Sequence, residues 1–415
     1  MFAFKKVNNI CIKSRKLIKN NKKYISTLVS NKFAKKKHVN NNLFYCYNIK
    51  RNASDKAKLV LDKMKASYDA KQDIPTAFEE YFQEGKVSVR GALNLALYEE
   101  FDRDPKLYLL GEEVALYNGA YKISKGLWKK YGDERVIDTP ITEMGFTGVG
   151  IGSALNGLHP IVEFMSFNFS MQAIDQIVNS AAKLKYMSGG KINCPITFRG
   201  CNGAAKAVAA QHSQCFAAWY SSVPGLKTGA IYDHIDARQM LKAYIRDPDP
   251  CLMLENEMLY GAKFDVTDDF FDPDYAPCEI GKIRVLQEGT DITIAGHGRM
   301  VQYMIEAAEI LKNEDNVSVE LINNLSLRPF DRFGLINSVK KTHRMVYVEE
   351  GWPHCGIASE VCAIMMESDA FDYLDAPVER VCGTDVPMPY CPVLETMVLP
   401  STNDIVVAAR RALKK

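Results

Sequence analysis

Acidic residues are absent from the first fifty positions, which hold thirteen Lys and Arg; the first carboxylate is Asp55. No stretch approaches the ~18 uninterrupted apolar residues of a membrane-spanning helix, so nothing points to membrane insertion. Eleven cysteines are present, yet no CxxC pair and no Cys/His cluster at zinc spacing occurs, so neither a metal site nor a disulfide framework is expected of them. They suit small buried hydrophobes in a reducing compartment. Also missing is GxGxxG in any register, which removes the usual basis for dinucleotide binding.

What is present divides unevenly. The net charge of +2 conceals a basic arm joined to an acidic body: beyond residue 50, 39 basic residues face 50 acidic ones, about −11. The arm, residues 1–55, is rich in Lys, Asn and Ser with scattered Leu, Ile, Val and Phe, as in an organelle transit peptide removed before function. A disordered basic tail, or one touching nucleic acid, is the bland alternative. Residues 56–85 form an extension in which Leu59, Val60, Leu61 and Met64 suit a peripheral helix.

The remaining length, 47% hydrophobic overall, is enough for two domains with their own cores. "VSVRGALNLALYEEFDRD" has amphipathic helical spacing, "LYLLGEEV" (Leu107 to Val114) is a buried-strand run ending in acids, and "CPITFRG" and "CLMLENE" are two further buried strands. Met171, Ile174, Val178 and Ala182 fall on one helical stripe. The alternation predicts an α/β fold, a mainly parallel sheet covered on both faces, over 86–264. The acidic, proline-bearing segment 265–284 reads as a linker. "DITIAGHGRMVQYMIEAAEILK" and its successors repeat strand and helix, giving a second, smaller α/β domain over 285–415.

One stretch is odd: in "DTPITEMGFTGVGIG" a single carboxylate, Glu143, stands at the mouth of a run of glycines and hydrophobes. A phosphate loop recruits backbone N–H groups and cations, and a carboxylate there would repel the ligand. The plain reading is a helix whose glycines allow close packing on the sheet or a partner chain, with Glu143 capping its N-terminus. His212 among apolar residues, and Phe169 ahead of an amphipathic helix, read plainly as core.

Long ordered segments go further. "LLGEEVALYNGAYKISKGLWKKYGDERVIDTPITEMGFTGVGIG", "EFMSFNFSMQAIDQIVNSAAK", "AQHSQCFAAWYSSVPGLK" and "GTDVPMPY" resemble the beta subunits of the mitochondrial-type pyruvate dehydrogenase component of the pyruvate dehydrogenase complex. The resemblance runs from about Val87 to the end. It implies a thiamine-diphosphate pyrimidine-type domain plus a transketolase C-terminal-like domain. It also implies decarboxylation of a 2-oxo acid with acyl transfer to a lipoyl group, in the matrix, a plastid being the alternative compartment. By the same resemblance Glu143 bonds the N1′ nitrogen of the aminopyrimidine, Phe169 packs on that ring, Gln172 helps line the pocket, and His212 assists transfer to the lipoyl group. A carboxyl group among hydrophobes suits the first task, since its proton is easily shared with a ring nitrogen.

Thiamine-diphosphate enzymes bind Mg²⁺ and diphosphate through a GDG motif, which this chain lacks. The metal side is therefore expected from an alpha chain, in an α₂β₂ heterotetramer that delivers to an acetyltransferase core carrying lipoyl domains. A structural K⁺ is further implied at Ile196, Tyr244, Ile245, Asp247 and Asp249, although "IRDPDP" departs from the family's commoner string. Glu350 stands where the family usually has Gly. A branched-chain 2-oxo acid subunit and a non-catalytic scaffold are the alternatives.

Overall fold

The computed structural model describes residues 81–83, 85–267, 270 and 277–415. The expected transit arm, almost all of the extension and part of the expected linker lie outside those residues. No helix among the described residues is long and apolar enough to cross a membrane.

Fifteen strands are described, numbered in chain order: β1 Phe82–Gln83, β2 Lys86–Ser88, β3 Leu107–Gly111, β4 Val136–Asp138, β5 His159–Ser166, β6 Thr197–Cys201, β7 Lys227–Ala230, β8 Cys251–Glu255, β9 Lys263–Asp265, β10 Arg284–Gln287, β11 Ile292–Gly296, β12 Val319–Asn323, β13 Ser326–Arg328, β14 Met345–Val348 and β15 Glu379–Val381. The large sheet has the order β13-β7-β8-β6-β5-β3-β4 and a second sheet the order β10-β12-β11-β14-β15, while β1, β2 and β9 make a small antiparallel sheet. Within the large sheet every pairing is parallel except β13 with β7. β6, β8 and β11 are buried along their whole length, as parallel strands covered on both faces should be.

β13 follows β12 directly but leaves the second sheet and pairs antiparallel with β7, joining the edge of the first. The two halves of the chain therefore share backbone hydrogen bonds as well as side-chain packing. An ion cluster adds to this joint: Arg284 meets Asp233 at 2.8 Å and Asp236 at 2.7 Å, and Asn323 donates to Asp236 at 2.6 Å.

The helix expected after residue 87 runs Val89–Arg103, with Ser88 accepting from the Gly91 N–H at 3.1 Å as its cap. The Val87 and Ser88 that precede it belong instead to strand β2. The helix packs on His234–Arg246 and is locked to it by charge: Glu100 to Arg246 at 2.6 Å, Glu99 to Arg238 at 2.6 Å and to Lys242 at 3.0 Å. Burial of Leu93 and Leu97, both inaccessible to solvent, contributes about 1.5–3 kcal/mol each. Of the stripe expected at Met171, Ile174, Val178 and Ala182, Ala182 is buried, while the first three flank the buried line of Ala173, Ile177 and Ala181. The shift follows from pitch: the segment passes from a short α-helix (Phe167–Ser170) through a 3₁₀ turn (Met171–Ala173) and a π-helical stretch (Gln176–Ala181) to an α-helix (Ala182–Met187), so a constant 3.6-residue period misplaces its face.

Candidate active site at the carboxyl edge of the large sheet

Four adjacent parallel strands, β6-β5-β3-β4, release the chain at one edge of the sheet, where α/β folds place ligands. Glu143 follows β4, Glu112 follows β3, Phe169 follows β5 and His212 follows β6. Residues scattered over a hundred positions of sequence are thus gathered by topology.

Glu143 opens the helix Glu143–Leu155 and is 3% exposed. Its Oε2 is buried without a hydrogen-bond partner. It is not a cap, because Thr142 occupies that position and makes no side-chain cap bond. Beside it lies Glu112, also buried, whose pKa is pushed up to about 7 by burial, by the Glu143 charge and by a hydrogen bond with Glu143. Two carboxyl groups in contact favour sharing a single proton. The loop carrying Glu112 is fastened to the strand before Glu143: Asp138 accepts from the Ala115 N–H at 2.7 Å and the Leu116 N–H at 3.2 Å.

The glycines divide into two kinds. At Gly150 a Cβ would lie 2.9 Å from the Val162 methyl, so close packing on the sheet is real there. Gly148 faces Gln176 at ordinary distance, and nothing lies within 4 Å of a Cβ at Gly152. Around Glu143 the surface is apolar and open: Leu116, Tyr117, Ile141 and Met144 are between 56% and 81% exposed. An exposed apolar rim around a buried carboxyl group marks a surface that something else covers.

Phe169 is half-buried in the Phe167–Ser170 turn, and its ring meets that of exposed His212 edge to face, with centroids 5.3 Å apart. Asn168 ties this turn to the His212 segment by accepting from the Gln214 N–H at 3.2 Å. Gln172 is exposed on the following 3₁₀ turn, which packs against the Glu143 helix. The segment Gly203–His212 has left-handed backbone at Gly203 (φ 81°), Ala207 (φ 58°) and Ala209 (φ 63°). For alanine this costs on the order of 1–3 kcal/mol each. Two carboxylates of the second domain brace it: Glu350 accepts from the Ala204 N–H at 2.5 Å and Glu395 from the Ala207 N–H at 2.8 Å.

Behind the edge, in the sheet, Arg199 of β6 lies wholly buried between Glu163 of β5 and Glu255 of β8. Burial opposes the charge on Arg199, but the two carboxylates outweigh it and hold the guanidinium cationic, while burial raises Glu163. The five residues expected around K⁺ lie at the opposite, amino edge: Ile196 precedes β6 and Tyr244 to Asp249 precede β8. There the Ile196 carbonyl accepts from the Cys251 N–H at 2.9 Å. The Asp247 carboxylate receives Lys227 at 2.7 Å, and Asp249 receives Lys227 at 3.2 Å and also Lys185. Glu112 and Glu395 are site residues that the sequence did not single out, and Glu350 stood out there only as a departure from the resemblance, with no role. Glu112 left a signal, as an acid directly after a buried strand; Glu395 left none.

Residues 85–263 match the transketolase pyrimidine binding domain and residues 281–405 the transketolase C-terminal domain. The chain is 58% identical, over 79% of its length and 87% of the relative's, to pyruvate dehydrogenase E1 component subunit beta-1, mitochondrial, of Oryza sativa subsp. japonica. This chain belongs to the pyruvate dehydrogenase E1 beta-subunit family. Within that family it is 56% identical to the mitochondrial beta subunit of Dictyostelium discoideum, covering 80% of this chain and 92% of that one. The Bos taurus beta subunit is 52% identical, with 79% and 91% covered. A solved split gene transketolase, described as an inactive beta4 tetramer, shares the fold at a TM-score of 0.64 with 24% identity, over 79% of this chain and 98% of that one.

Proposed function

We propose that this chain is the beta subunit of a mitochondrial pyruvate dehydrogenase: with an alpha subunit it carries out thiamine-diphosphate-dependent oxidative decarboxylation of pyruvate and reductive acetylation of the lipoyl group of the acetyltransferase core. The observation that carries this reading is the buried, unpartnered Oε2 of Glu143, in a chain 52–58% identical to pyruvate dehydrogenase beta subunits. A buried carboxyl oxygen left without a partner is costly unless a ligand completes it.

The residues fit the aminopyrimidine half of thiamine diphosphate. When bound, that cofactor supplies the carbon that attacks the oxo group and accommodates the electrons released on loss of CO₂. Glu143 would hold the ring nitrogen N1′ through its free Oε2, while the hydrogen bond with Glu112 engages its other oxygen and fixes the carboxyl group in place. Phe169 offers the ring an apolar face, and Gln172 lies at the margin. His212, standing on Phe169, delivers a proton to the sulfur that departs when the lipoyl disulfide is opened, a step suited to imidazole near neutral pH.

The diphosphate and Mg²⁺ fall to the alpha chain in this reading. The sequence has no GDG, and among the described residues no group of three His, Cys, Asp or Glu is arranged to hold a metal ion. The apolar rim of Leu116, Tyr117, Ile141 and Met144 suits the alpha contact in an α₂β₂ assembly. K⁺ at the amino edge would use backbone carbonyls of Ile196, Tyr244, Ile245, Asp247 and Asp249, since the two carboxylates already serve lysines and a carbonyl keeps a second lone pair.

Calorimetry tests the division of labour: the lone chain should bind thiamine diphosphate weakly or not at all with Mg²⁺ present, and affinity should appear with the alpha chain. Tight binding to the lone chain overturns it. Turnover of pyruvate against a branched 2-oxo acid in the same assembly fixes the substrate, and preference for the branched acid would overturn the assignment.

A further inference from the structure

Glu350 lies two residues beyond β14 in the second domain, yet its carboxylate lies inside the first. Oε1 accepts from the Ala204 N–H at 2.5 Å, Oε2 faces the Asn256 amide at 3.4 Å, and a Cβ at Gly203 would collide with both oxygens. Asn256 also donates to the Asn202 carbonyl at 3.1 Å, so the base of the segment is held on two sides. Small interdomain cavities, one lined by Ala210, Ser213 and Cys215 and another by Asn202, His297 and Arg299, both have Glu350 in their walls. Beyond Ala204 the segment carries two left-handed alanines before the 3₁₀ turn that ends in His212. A strained backbone of this kind persists only where its surroundings over-determine it.

We propose that Glu350 is a positioning residue: by clasping the Ala204 amide across the domain boundary it fixes the Gly203–His212 segment, and thereby sets the His212 ring against Phe169 for transfer to the lipoyl group. The proposal rests on the role assigned above to His212.

The test uses the reconstituted α₂β₂ enzyme with a lipoyl domain as acceptor, and a one-electron dye as an acceptor that bypasses the lipoyl step. In Glu350→Ala, amide exchange at Ala204 and through the segment should rise about 10-fold or more. Reductive acetylation should fall about 10-fold while dye-coupled decarboxylation stays within about 2-fold. Glu350→Gln, which retains a carbonyl acceptor, should restore both. Glu350→Asp, one methylene shorter, should behave as the alanine variant does and serves if that variant does not assemble. Unchanged exchange in both truncations overturns the clasp. Raised exchange with full acetylation, in an enzyme where His212→Ala abolishes acetylation, overturns the positioning role. If His212→Ala itself acetylates normally, the role of His212 is what fails, and exchange alone then decides the clasp.

Discussion

The two edges of the large sheet treat buried charge in opposite ways. At the amino edge the carboxylates of Asp247 and Asp249 are matched by Lys227 and Lys185, and the unpartnered buried atom there is the neutral hydroxyl of Tyr244. At the carboxyl edge Glu143 and Glu112 lie against one another, each with an unsatisfied buried oxygen, and an apolar rim stands open beside them. Both edges come from the same strands, so the difference is one of purpose: at one end the carboxylates are paired with cations of the chain, at the other they are left for what binds. Sites held away from their lowest energy are the expected form of function.

Replacing Glu143 by Gln is the strongest way to break this contrast. Decarboxylation in the assembled enzyme should fall about 10²–10⁴-fold, while thermal unfolding is unchanged or shifts upward because a buried charge pair is relieved. Unaltered turnover would remove Glu143 from the chemistry. Between the edges, Arg199→Met should cost about 3–5 kcal/mol in denaturant unfolding, since Glu163 and Glu255 are left buried without their cation. A loss below about 1 kcal/mol would mean that the triad is already neutral.

At the amino edge, Lys227→Gln should lower stability by only about 1–2 kcal/mol and leave turnover unaffected. Burial opposes the Asp249 charge, but hydrogen bonds from Lys185 and Lys227 outweigh it and hold its pKa below the usual range. That contribution is present above the unfolded carboxylate pKa of ~3.9 and is lost on acidification, so Lys227→Gln should flatten the acid limb of the stability curve. Glu112 has the reverse sign. Its folded pKa of about 7 exceeds the unfolded value, so the native state binds more protons and stability declines as pH rises from ~4.5 to about 7. Glu112→Gln should remove that slope; a slope that persists would place the proton elsewhere.

Much of this was legible in sequence because it depends on local pattern. The strands Leu107–Gly111, Thr197–Cys201 and Cys251–Glu255 are short buried runs, and their order with the intervening helices implies parallel pairing. Glu143 announced itself as a carboxylate in an apolar context. What stayed hidden depends on partners distant in the chain. Glu112 matters because β3 and β4 are neighbours in the sheet, which no spacing rule reveals. The buried line at Ala173, Ile177 and Ala181 moved because the helix changes pitch at Gln176–Ala181. Gly152, read with Gly150 as a packing glycine, faces open space in the lone chain.

β13 bears on how the chain comes to be folded at all. Among the described residues the outer edge of β7 is paired by Ser326–Arg328, roughly a hundred residues later, which at ~5–20 residues per second is on the order of 5–20 s of synthesis. Throughout that interval an unpaired strand edge beside a nearly complete hydrophobic sheet is open to any other extended chain. A fragment ending after β9 would retain Glu112 and Glu143 and still be prone to aggregate, because the strand that seals it is encoded in the other half.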